Sequence, residues 1–159
     1  MDLLPTFEWF YATPIGETIR NSVWMFPVIE AFHLLGLGMI GGAILLVDLR
    51  LFGVGLIRTP VAQLSAAAQP WLLGSIAVMV SSGVPLFLSE AIKCYYSIPF
   101  WVKMTSLFLA LTFAFTIRRR VTQSGLAAER PRLGRAVGIV SLCLWAGVAW
   151  GGRWIAFSG

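Results

Sequence analysis

His33 is the only histidine of this 159-residue chain, and it stands near the middle of an apolar run from Ser22 to Val47. Glu30 precedes it by three residues, a spacing that puts both side chains on one helix face. Ionisable groups at bilayer depth are costly and mark a functional site by default. An imidazole there can ligate a metal or haem iron, relay a proton, or close a buried hydrogen bond. With Ser22 as the outer end, Glu30 lies roughly 12 Å deep and His33 roughly 16 Å. Lys103 and Arg153, counted from Pro99 and Phe157, each lie roughly 6 Å in. Three helices thus bring Glu30, His33, Lys103 and Arg153 into one half of the bilayer. The other half holds almost nothing ionisable before Asp48 and Arg50 at its edge.

Haem b fits this set. His33 would supply an axial nitrogen near the midplane, and Lys103 and Arg153 would pair with propionates directed outward. A single histidine excludes bis-histidine ligation within one chain, so Met79, at similar depth, is the candidate sixth ligand; Met104 is a shallower one. Gly36, Gly38, Gly41 and Gly42 follow His33. They either clear room for a flat cofactor or serve ordinary helix packing, as does the Gly147–Gly151 pair. Met25, Met39, Met79 and Met104 form no spaced cluster of the kind copper needs. A cofactor-free reading stays open: Glu30 would pair with Lys103 or Arg153, and the chain would be a membrane anchor or assembly subunit for a periplasmic or membrane partner. Any enzymatic role would be that of an oxidoreductase or a subunit of one.

Other chemistries lack their parts. Ser81 and Ser82 are expected to lack a nearby base, and the glycines of 36–42 lie within a span rather than in a phosphate loop. Cys94, in a loop, and Cys143, in an apolar run, have no metal-binding spacing and read as unpaired thiols. No polar path continues from His33 and no inverted repeat is visible, which argues against a transporter.

The elements that must carry these residues are membrane helices. Hydrophobic residues make up 58% of the chain and charged residues 12%, against about 25% charged in a soluble domain. One transmembrane domain over 1–159 is expected, an all-α integral membrane four-helix bundle with spans at about 22–47, 70–88, 99–117 and 136–157. Residues 1–20 lack the basic start of a cleavable leader and read as an interfacial amphipathic segment, with Thr13-Pro14 opening a helical turn. The net charge of +5 does not indicate nucleic acid, because six of the twelve basic residues fall between Arg118 and Arg135. Loops 49–69 and 118–135 should face the cytoplasm and both termini the outside, in a bacterial inner membrane. The expected partners are the lipid bilayer and other membrane or periplasmic subunits, or further copies of the chain.

Glu30-Ala-Phe-His33, with the glycine-containing run that ends in Asp48-Leu49-Arg50, resembles the first core helix of HemJ-type and CopD-type membrane proteins. Pro99-Phe100-Trp101-Val102-Lys103 is similar to their Trp…Lys helix, and the likeness covers about 60 residues. It is close as well to small four-helix bacterial proteins with the same His-Leu-Leu-Gly and Asp-Leu-Arg pattern. HemJ-type proteins bind haem b and oxidise protoporphyrinogen, so the resemblance implies His33 as ligand and Lys103 as its functional partner. The Gly151-Gly152-Arg153-Trp154 element has no counterpart there.

Overall fold

In the computed structural model, residues 3–56, 58–155 and 157 are described, and no strand occurs among them. Helices α1 (Leu4–Tyr11) and α2 (Pro14–Arg20) lead into α3 (Met25–Phe52), α4 (Val61–Ser89) and a short α5 (Ala91–Tyr96). Helix α6 (Ile98–Phe113) continues through a π-helical turn (Ala114–Arg118) into α7 (Arg119–Gln123), followed by α8 (Leu126–Glu129) and α9 (Pro131–Ile155). Among the described residues four stretches are long and apolar enough to cross a membrane: Met25–Phe52, Val61–Ser89, Ile98–Gln123 and Pro131–Ile155. The chain is therefore an all-α, multi-pass membrane protein.

Local chemistry sets the helix ends. Thr13 caps α2, its side chain accepting from Gly16 N, with Pro14 at the first helical position. Ser97 does the same for α6. Gly53, at φ +81°, closes α3. Its N–H reaches Arg50 O, and Val54 N reaches Leu49 O, the pairing of a left-handed glycine cap.

All four spans run further toward the arginine-rich end than the apolar runs do. Helix α4 starts at Val61 rather than Pro70, α9 at Pro131 rather than Ala136, and α3 and α6–α7 continue to Phe52 and Gln123. Apolar length marks the hydrocarbon layer, not the helix. Segments such as Val61–Gln69, rich in alanine, keep their helical hydrogen bonds beyond it. Much of the two expected basic loops is consequently helical.

Helix α3 packs between α4 and α9, and α9 packs on α6, whereas α4 and α6 barely meet. Glycines set the α6–α9 approach: a Cβ on Gly147 would lie 2.7 Å from Ser106 Oγ, and one on Gly151 2.8 Å from Pro99 O. Around Gly38, Gly41 and Gly42 there is nothing within 4 Å, so that glycine run packs no helix of this chain. The central core is Ile40, Ala43, Ile44, Leu72, Ala110, Trp145 and Val148.

The N-terminal pair folds onto the bundle. Phe7 is buried against Phe87 and Tyr95, with ring centroids at 5.6 and 5.3 Å. Arg20 fastens α2 to the end of α4, donating to Leu88 O and Ser89 O at 3.3 Å, and to Tyr11 O at 2.8 Å. The Leu88 and Ser89 carbonyls end a 29-residue helix, where a cation is favoured. Arg20→Ala is expected to cost about 1–3 kcal/mol of unfolding free energy in detergent. Unchanged stability would show that α1 and α2 are not held by this contact.

Candidate functional site

A cavity of about 310 Å³ lies at the end of the bundle that carries the termini, walled by α3, α4, α6 and α9 and by α5. Glu30, His33, Met79, Lys103 and Arg153 all line it. Gly36 does not. It is buried between α3 and α4, where a Cβ would meet Val78 Cγ1 at 3.1 Å and Met79 Sδ at 3.4 Å. Its role is to let the Met79 side chain cross α3.

His33 is held from α4. Its Nδ1 lies 2.9 Å from Ser82 Oγ, while the Ser82 hydroxyl lies 2.6 Å from Val78 O. A serine has one proton to give. With that proton on the helix carbonyl, Ser82 accepts from Nδ1–H, and this assigns the lone pair of the ring to Nε2. Gly83 makes the fit possible, since a Cβ there would sit 3.1 Å from His33 Cε1. The sequence expectation that Ser82 has no base is thus corrected. The pair positions the imidazole and is no nucleophile–base couple, because the hydroxyl proton points away from the ring.

Lys103 is half-buried, and its stem lies along Gly151 and Gly152: a Cβ on Gly152 would be 3.8 Å from Nζ. Arg153 is exposed, its guanidinium 5.1 Å from the Phe157 ring centroid. Two carboxylates share the rim, Glu30 and Glu90. Among the described residues the ion pair within 4 Å is Asp48–Arg118 alone, so neither Glu30–Lys103 nor Glu30–Arg153 closes.

Glu90 and Gly83 were not singled out from the sequence, and Ser82 and Cys94 were set aside there. Met79, Gly83, Phe87 and Glu90 recur at helical spacing and form the α4 wall, which is the signal that was there to be read. Cys94 lies in α5 rather than a loop, buried and free, and Cys143 is free and exposed. Burial, then the Glu90 charge, push the Cys94 thiol up to about 11, so near neutral pH it is a thiol and a poor metal ligand. No group of three His, Cys, Asp or Glu side chains among the described residues could hold a metal ion. Met25, Met39 and Met104 are exposed on the outer surface.

The model of a family described as being of unknown function, DUF6644, matches residues 6–158. The chain belongs to the DUF6644 family. No curated protein and no solved structure matches it. The match runs from within α1 to three residues past α9, so the DUF6644 unit includes the N-terminal pair as well as the four spans.

The opposite half of the DUF6644 bundle is less empty than its sequence implied. Arg118, expected in a basic loop, is buried in the spanning helix: its Nε donates to Asp48 Oδ1 at 3.0 Å and its Nη2 to Ile44 O at 3.3 Å. The π turn over Ala114–Arg118 inserts an extra residue into the helical repeat, and this brings the guanidinium inward. Ser141 Oγ is buried close to the Asp48 carboxylate. Between this pair and the His33 cavity lies the apolar layer of Ile40, Ile44, Leu72 and Trp145.

Proposed function

We propose that this DUF6644 protein binds haem b through His33 and serves in electron transfer or haem-linked redox chemistry. The observation that carries the reading is a histidine anchored at Nδ1 by Ser82, on the wall of a cavity shared with a thioether and two cations. A hydrogen bond at the far ring nitrogen is what fixes and strengthens a metal-ligating imidazole. A free metal ion needs three or more protein ligands, and no such group is assembled among the described residues. Haem iron already has four pyrrole nitrogens, so one imidazole can hold it. When bound, the group would supply one-electron chemistry.

The remaining roles follow from place. Met79 offers a sulfur on the same wall, and Lys103 and Arg153 would offset the carboxylates of an acidic ligand. Glu30, one turn from His33, is placed to balance a change of charge there. We place the chain in a bacterial inner membrane with both termini outside, because the arginines cluster at the opposite end. That puts the cavity in the outer half of the bilayer.

Protein purified in detergent from haem-replete cells is expected to show a Soret band. Its absence would leave a cofactor-free membrane anchor or assembly subunit. Ser82→Ala is expected to weaken haemin binding roughly 10–100-fold in a titration followed by absorbance, while the band at saturation persists. An unchanged titration would remove Ser82 from this role.

A further inference from the structure

We propose that a cleft at the arginine-rich end binds the phosphate headgroup of an anionic phospholipid. The cleft, about 340 Å³, lies where the end of α3 meets the starts of α4 and α9 and the short α8. Two arginines from distant parts of the chain line it, Arg50 in the last turn of α3 and Arg135 in the first turns of α9. Arg50 Nε donates to Thr59 O at 2.8 Å, which ties its stem across the α3–α4 connection and fixes its guanidinium beside the cleft. The remaining wall includes Phe52, Val61, Ala127 and Ala128, an apolar surface continuous with spanning helices.

This combination selects its ligand by charge and by phase. Guanidinium groups suit phosphate oxygens, to which they donate in pairs. Arg58, Arg119, Arg120, Arg130 and Arg132 carry positive charge at the same end, and Arg118 already offsets Asp48, which leaves Glu129 as the acid there among the described residues. A soluble phosphate would find the arginines but gain nothing from the apolar wall. A lipid headgroup at the hydrocarbon boundary uses both, as basic clefts between spanning helices do. The site lies at the far end from the His33 cavity and does not depend on the haem reading.

The test is native mass spectrometry of the full chain in detergent, titrated with phosphatidylglycerol or phosphatidylcholine of equal chain length. The anionic lipid is expected to be retained preferentially. Arg50→Gln with Arg135→Gln should lose that preference roughly 30-fold, from about 1 kcal/mol per arginine. Arg119→Gln with Arg132→Gln, the same loss of charge outside the cleft, should keep it. Arg135→Gln alone, at an exposed position, should lose a part and serves if the double variant fails to fold. Equal loss in both double variants would reduce the effect to overall charge and overturn the site. So would displacement of the lipid by millimolar inorganic phosphate, which would make it a soluble-anion site.

Discussion

His33→Ala is expected to abolish the Soret band of the purified protein, a larger effect than the roughly 10–100-fold weakening expected for Ser82→Ala. The reason is positional. His33 is the chain's one histidine, and the alternatives within reach are a Cys94 thiol held neutral by burial and the Met79 thioether, a weaker donor. His33→Gly with added imidazole should restore absorbance, because the cavity beside Gly83 then admits a free ring. Met79→Leu keeps the side-chain bulk that fills the space left by Gly36, so a spectral change in that variant would assign the sulfur to the iron. A band that survives His33→Ala unchanged would overturn the haem proposal. If the band is absent and His33→Ala instead weakens co-purification of a partner, the anchor reading holds.

The largest stability effect is expected at the other end. Asp48 is fully buried and the Arg118 side chain is 7% exposed. Arg118→Met would strand a buried carboxylate, at a cost of about 3–5 kcal/mol, as is usual when one partner of such a pair is removed. The double variant Asp48→Leu/Arg118→Met, with neither charge left to satisfy, should recover most of that loss. Reversible unfolding in mixed micelles over the four-member cycle measures the coupling. A double variant as unstable as the single one would show that packing around the π turn, not charge, holds this end together.

These outcomes rest on features that were unequally visible in the sequence. Their shared level was legible: helical rise alone put Glu30, His33, Lys103 and Arg153 toward one end of the spans, and all four line one cavity with Met79. Azimuth was not. Ser82 and Gly83 meet His33 across 49 and 50 residues, and only the docking of α4 on α3 makes them neighbours. Gly36 failed as a cavity residue for the same reason, because its open side faces α4. Helix ends were misplaced where polar segments continue past the hydrocarbon layer, since periodicity without an apolar run looks like a loop. Arg118 was the hardest to foresee: its neighbours Arg119 and Arg120 are exposed, and a one-residue change of helical phase separates it from them.

The greasy partition between the two polar ends has a bearing on energetics. With Ile40, Ile44, Leu72 and Trp145 closing the middle of the bundle, a proton gained or lost beside His33 has to arrive and depart through the face that bears the termini. Proton uptake and release at that site, by the same face, would move no net charge across the bilayer.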